Sequence, residues 1–249
     1  MATAGSTRGP GPERAYLAAI PRTGSVRLDA EEGHHLVRVR RARVGDEVVL
    51  FDGRGASVRA RLLDVEARGP ALAIEGPYPD REPARAVTIS AAVPGPSRLD
   101  DLVTSLAELG VTTYAPLLCE RSDRGAVLGL ARRRHRIDRL VREAAKVSGR
   151  SRFLNVTEPV AFESVLAGAP GRATFLLDPD PSAPPFAELL RLTPGEAPVT
   201  AIIGPEGGFT EAEIRSAQGA GVRRVSLGAC ALRTELAAVV AAALALSGV

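Results

Sequence analysis

The spacing of hydrophobic positions changes once along the chain. Over residues 46–76 apolar residues come in short runs, alternate with charges at Val58, Ala60 and Leu62, and are cut by the turn sequences DGRG and ARGP. A period of two broken by such turns predicts a small antiparallel β unit. Ahead of it, Asp29 followed three residues later by Glu32 predicts a helix start leading into HHLVRVRRA. The segment GPYPDREP then places prolines at 77, 79 and 83, which interrupts both periods and marks a domain boundary. The expected division is a first domain over residues 1–78, with 1–14 as a loose tail, and a second over 79–249.

From residue 87 continuous apolar runs replace alternation. VTISAAV (87–93), VTTYAPLL (111–118), ATFLLD (173–178), VTAIIG (199–204) and VRRVSLG (222–228) read as buried strands. Between them lie helical patterns: SRLDDLVTSLAEL capped by Ser97 and closed by Gly110, a long helix over roughly 130–148, one near 185–192, and a terminal helix from about 233. Alternating strands and helices imply an α/β domain with a mainly parallel sheet, whose ligand lies at the carboxyl ends of the strands.

Composition narrows the class. Charged residues make up 24% and hydrophobic residues 45% of 249, the balance of a globular protein. The longest apolar run, Leu236 to Leu246, is too short to span a bilayer, so no membrane association is expected. The start of the chain, MATAGSTRGPGPER, lacks the apolar stretch of a secretion signal, and a reducing cytoplasm fits the two cysteines, Cys119 and Cys230. With three histidines and no CxxC, no metal site is expected. The net charge is only +3, but residues 121–152 hold eleven basic and three acidic side chains. Such a block suits a surface that meets phosphates, and it equally suits a solvated helix face.

Two segments carry chemistry. In IIGPEGGFTEAEI (202–214) an apolar strand runs into Gly204-Pro205-Glu206-Gly207-Gly208, and Thr210 with Glu213 forms a capping box. A strand, a glycine turn and a helix N-terminus allow a ligand to approach bare backbone. No GK[ST] follows and the pattern is not GxGxxG, which removes the fingerprints of ATP and NAD. In SLGACALRTELAA (226–238), Arg233, Thr234 and Glu235 stand where the terminal helix begins. Taken alone, the first segment also serves as a plain tight turn, and in the second Thr234 also serves as a cap with Arg233 paired to Glu235. Together, at two neighbouring strand ends, they line one crevice.

The chain resembles the RsmE family, SPOUT-class methyltransferases acting on N3 of a uridine in 16S ribosomal RNA. The resemblance is carried by GPEGGFT-x-x-E and LG-x-x-x-LRTE, with AELGVT (107–112), CERS (119–122), SGR (148–150), and HHLVRVRRARVGD with LFDG. It implies a small PUA-like β-barrel domain that handles RNA, followed by an α/β domain tied in a trefoil knot that binds S-adenosylmethionine and builds a homodimer. Carried onto this chain, the cofactor pocket is Leu177, Gly204, Pro205, Glu206, Gly207, Gly208, Leu227, Gly228, Leu232 and Thr234. Where the family commonly shows Arg, Ile and Thr, this chain has Cys230, Ala231 and Leu236, and Ser105 and Val147 replace a usual Lys and Gln.

Methylation of uridine N3 requires loss of the N3 proton and stabilisation of the imide anion. Arg233 is the expected stabiliser, and Glu206 and Glu235 are candidate bases that could alternatively order the loop or pair with Arg233. RNA contacts are expected from Arg38, Arg40 and Arg41, with Arg43 beside them, and from Arg121, Arg124, Arg132, Arg133, Arg134 and Arg136, with Arg139 and Arg142 on the same helix. The expected partner is 16S rRNA or the small ribosomal subunit. The replacements at Cys230 and Leu236 leave open an RNA-binding relative without turnover, and a methyltransferase for another RNA position is a further alternative.

Overall fold

The computed structural model describes residues 11–66, 68–79 and 81–247. It divides into two units: one runs to Arg81 and takes in Gly149–Arg152, and the other comprises Glu82–Ser148 and the chain from Phe153. The return of Gly149–Arg152 to the first unit rests on contacts distant in sequence. Gly55 N donates to the Ser151 carbonyl at 3.0 Å, and Arg14 Nη2 to the Arg150 carbonyl at 2.8 Å. Composition along the chain carries no sign of such a pairing.

The first unit is a five-stranded sheet of β1 (Glu13–Tyr16), β2 (Ser25–Arg27), β3 (Glu47–Phe51), β4 (Ser57–Asp64) and β5 (Ala71–Pro77), in the order β1-β3-β4-β5-β2. The antiparallel β3-β4-β5 meander matches the alternating pattern, while β1 pairs parallel to β3 with Glu13 opposite Val48. Glu13 and Arg14, placed by sequence in the tail, are therefore sheet residues; residues 1–10 of that tail lie outside the described residues. Leu28, Leu36, Val48, Leu50, Ala60, Leu62 and Leu72 form the core. The helix α1 (Ala30–His34) starts where expected: Asp29 accepts from Glu32 N at 2.8 Å, and buried Glu32 accepts from Tyr16 N at 3.1 Å.

In the second unit a seven-stranded parallel sheet is built from β6 (Val87–Ala92), β7 (Thr113–Leu118), β8 (Asn155–Val156), β9 (Val160–Ala161), β10 (Ala173–Leu177), β11 (Val199–Ile203) and β12 (Arg223–Val225). Its order is β12-β10-β11-β6-β7-β8, with β9 also on β7. The intervening helices are α2 (Pro96–Leu109), α3 (Arg124–Gly129), α4 (Arg134–Ser148), α5 (Phe162–Ala167), α6 (Phe186–Arg191), α7 (Glu211–Gly219) and α8 (Thr234–Leu246). The central strands are buried on both faces, which is why they read as unbroken apolar runs. Small residues let α8 pack closely: Ala238, Ala241 and Ala242 are fully buried in the same core as Ile89, Leu102 and Phe175.

Two helix boundaries differ from expectation. Gly95 is the N-cap of α2 and Pro96 its first residue, so Ser97 lies inside the helix and caps nothing; proline suits that position because its missing N–H has no partner there. The long helix over 130–148 is instead α4 preceded by α3 and a single tight turn, because Asp123 opens α3 by accepting from Gly125 N at 2.8 Å and Ala126 N at 3.2 Å. Buried Arg85 closes the far side, donating to the carbonyls of Thr193, Pro194, Gly195 and Ala245 and thereby tying the loop before β11 to the end of α8.

Candidate functional site

Strands β11, β10 and β12 lie side by side, so the chain leaving Leu177, Ile203 and Val225 converges at one end of the sheet. A cavity of about 600 Å³ opens there. Of the residues expected to hold a cofactor, Leu177, Gly204, Pro205, Glu206, Gly208, Leu227, Gly228, Leu232 and Thr234 line it, together with Arg233. Gly207 does not. A β-carbon placed on Gly207 would rest 3.5 Å from Cδ of Arg121, at ordinary contact distance. The backbone demand falls on two other glycines, Gly208 (φ 70°) and Gly228 (φ 128°), in conformations side chains rarely adopt.

A hydrogen bond joins the two segments. Thr234 Oγ1 donates to the Gly204 carbonyl at 2.9 Å, which fixes the start of α8 against the end of β11. Thr234 is thus not the cap of α8. That position belongs to Arg233, in extended backbone, whose side chain caps nothing and is 70% exposed. The capping box of α7 forms as expected: Glu213 N donates to Thr210 Oγ1 at 3.2 Å and Thr210 N to Glu213 at 2.8 Å. The other Glu213 oxygen accepts from Glu120 N at 2.8 Å, anchoring the loop after β7 to this helix.

Charge at the cavity mouth is organised by an arginine that the sequence did not single out. Arg98, on the first turn of α2, places Nη1 against Glu206 Oε1 and 3.7 Å from Glu235 Oε2. The hydrogen bond to Glu206 raises the affinity of the Arg98 guanidinium for its proton. Glu235 Oε1 lies 3.5 Å from Arg233 Nε. Both candidate bases, Glu206 and Glu235, are therefore gathered around Arg98, and Arg233 shares the second of them.

Across the cavity, Arg224 of β12 donates from Nε to Asp178 and from Nη2 to Asp180, each at 2.9 Å. Ser182 N–H and this guanidinium hold the Asp180 carboxyl below the ordinary range. The pair fixes the proline-rich loop after β10, and Asp178 and Arg224 both line the cavity. The strand pairing that brings Arg224 beside this loop is nonlocal.

Of the cations expected to meet RNA, several are committed to the protein itself. Arg121 Nη1 donates to the Gly207 carbonyl at 2.8 Å and braces the glycine turn. Arg133 and Arg136 both hold Asp100, at 2.6 Å each. Burial alone would raise the Asp100 carboxyl, but the two guanidinium groups outweigh it and keep it below its usual range. Arg134 donates to the Val156 carbonyl at 2.8 Å. Arg124 and Arg132 are exposed and, among the described residues, form no ion pair. In the first unit Arg38 and Arg41 are exposed, Arg41 with φ 57°, while Arg40 lies 3.7 Å from Glu13. Among the described residues no cluster of three or more metal-ligating side chains occurs, and no helix is long and apolar enough to cross a membrane.

Residues 81–246 match the model of an RNA methyltransferase domain, and residues 28–74 that of an RNA methyltransferase PUA domain. The ribosomal RNA small subunit methyltransferase E of Synechocystis is 33% identical over 221 residues, covering 88% of this chain and 72% of the relative. Its namesake from Mycobacterium bovis is 29% identical over 238 residues, 91% and 88% of the two chains. Among solved structures, the ribosomal RNA small subunit methyltransferase E of Neisseria gonorrhoeae, bound to S-adenosyl methionine, superposes with a TM-score of 0.81 at 28% identity over 94% of this chain and 96% of that one. A putative methyltransferase from Legionella pneumophila, in complex with the same cofactor, gives 0.80 at 27% identity over 95% and 98%. The glycine turn and the LRTE segment, joined in one cavity, thus sit within a likeness that runs through both units, and the chain belongs to the ribosomal RNA small subunit methyltransferase E family.

Proposed function

We propose that this protein transfers a methyl group from S-adenosylmethionine to N3 of a uridine in 16S ribosomal RNA. The observation that carries this reading is the cavity shared by the glycine turn and the start of α8, with Arg233 exposed at its edge. Family membership and the two cofactor-bound relatives support it. The cavity falls within the ~300–1,000 Å³ typical of small-molecule sites. Leu177, Gly204, Gly208, Leu227, Gly228, Leu232 and Thr234, which line the cavity, would hold the cofactor. When bound, the cofactor supplies an electrophilic methyl group on a sulfonium.

The chain's own residues prepare the acceptor. The N3 proton must leave before attack, and a guanidinium beside the uracil carbonyls favours the imide anion. Arg233 supplies it. Glu206 and Glu235 both stand against Arg98, where they hold charges in place, and the N3 proton passes to water. Methyl transfer should accordingly rise with pH over the range in which the imide ionises.

Finer features of the reading follow the family: a trefoil knot at the cofactor site, a homodimer, and a cytoplasmic reaction on rRNA or the small subunit. The alanines of α8 are buried in the unit's own core, so a second copy would meet the side of the helix that carries exposed Leu236. RNA is held by the exposed cations of each unit, Arg38 and Arg41 in the first and Arg124 and Arg132 in the second. Arg132→Ala should flatten the log–log dependence of RNA affinity on salt by about 0.7–0.9 for one lost phosphate contact. Arg133→Ala, whose guanidinium is held by Asp100, should leave the slope unchanged and lower the unfolding temperature. Equal slopes for both variants would remove Arg132 from the interface. Label transfer from methyl-labelled cofactor to free 16S rRNA and to small subunits, compared side by side, tests the reading and identifies the form of substrate.

A further inference from the structure

The cavity mouth carries an arrangement that substrate binding alone does not explain. Glu235 is only 14% exposed, and its Oε2 is buried without a hydrogen bond among the described residues. A carboxylate so placed needs a cation. Two compete for it from opposite sides: Arg98 on α2, 3.7 Å from Oε2, and Arg233 at the start of α8, 3.5 Å from Oε1. Glu206, from the glycine turn, is already engaged by Arg98. The charged groups facing one another here are thus Arg98, Glu206, Glu235 and Arg233.

The position of Glu235 decides how much charge Arg233 presents to a substrate. If it moves onto Arg233, two residues away on the same helix start, the guanidinium is neutralised at the point where an anion must be stabilised. Here it stands between the two, 3.5 Å from Arg233 and 3.7 Å from Arg98, so Arg98 takes up part of the charge that would otherwise fall on Arg233 alone. We propose that Arg98 is a positioning residue that engages Glu206 and shares Glu235 with Arg233, keeping Glu235 from closing fully onto the Arg233 guanidinium that meets the reacting base. This rests on the assignment of Arg233 as the cation of the uridine-methylating site. Arg98 touches neither cofactor nor base; it acts through two carboxylates.

The test is a cycle of single-turnover rates across pH with the full-length protein, S-adenosylmethionine and small ribosomal subunits. Arg98→Gln should slow methyl transfer about tenfold and move the rising limb of the pH profile to higher pH, since a weaker cation at Arg233 favours the imide anion less. Arg98→Lys, which keeps the cation, should restore most of the rate. Adding Glu235→Gln to Arg98→Gln should also recover rate, because the carboxylate that would neutralise Arg233 is gone; such non-additivity is the signature of a coupled pair. A merely structural Arg98 would give no recovery and no displacement of the limb, and either finding would overturn the assignment. Thermal unfolding of each variant separates misfolding from the kinetic effect, and Arg98→Met, which also removes the cation, carries the test if the glutamine variant fails to fold. A wild type that transfers no methyl group to uridine would overturn the reading of the site and the role of Arg98 together, whereas an active wild type with an unresponsive cycle would overturn Arg98 alone.

Discussion

Arg233→Ala should lower the single-turnover rate of methyl transfer by about two to three orders of magnitude, while affinity for S-adenosylmethionine should stay within about twofold. The asymmetry follows from where the side chain sits. It is 70% exposed at the cavity edge and caps no helix, so its removal costs little in folding. Its proposed contact strengthens only as negative charge develops on the uracil, which places its worth in the transition state. The fold at that point depends instead on Thr234, whose hydroxyl binds the Gly204 carbonyl. Rapid-quench kinetics with calorimetric titration of the cofactor reads both quantities. Loss of cofactor binding along with the rate would show Arg233 to be part of the cofactor pocket.

Gly228→Val should abolish measurable cofactor binding, whereas Gly207→Ala should leave it intact. Gly228 has φ 128° and lines the cavity. Forcing a β-branched residue into that backbone costs about 1–3 kcal/mol if the loop keeps its shape, and the loop relaxes into the cavity to avoid the cost. Gly207 has no such backbone requirement, and an added methyl there meets only the stem of Arg121 at contact distance. The expected loss for Gly228→Val is at least about thirtyfold in affinity, equivalent to roughly 2 kcal/mol. Equal titration curves for the two variants would show that the glycines serve folding alone.

The parts of this architecture that rest on local pattern are the parts the sequence displays. The strand ends at Leu177, Ile203 and Val225 follow from apolar runs, and the α7 capping box follows from Thr210 and Glu213. What the pattern hides is nonlocal. Arg98 lies in a segment that reads as an ordinary helix start, and only the parallel pairing of β6 with β11 brings it beside the glycine turn. The same holds for Arg224, which meets Asp178 because β12 pairs with β10. The run of arginines does not display which of them have partners in the protein: Asp100 holds Arg133 and Arg136, and the Gly207 carbonyl holds Arg121. Likewise Gly207 stands inside the glycine motif but carries none of its conformational demand, which only φ values reveal.

Mass spectrometry of nucleosides from small ribosomal subunits lacking the modification, after incubation with the wild-type protein and methyl-labelled S-adenosylmethionine, tests the central claim most directly. Label is expected in 3-methyluridine at a single position of 16S rRNA. Label on a ribose oxygen, on a base carbon or in another nucleoside, or a protein that binds cofactor and RNA without transferring the methyl group, would contradict it.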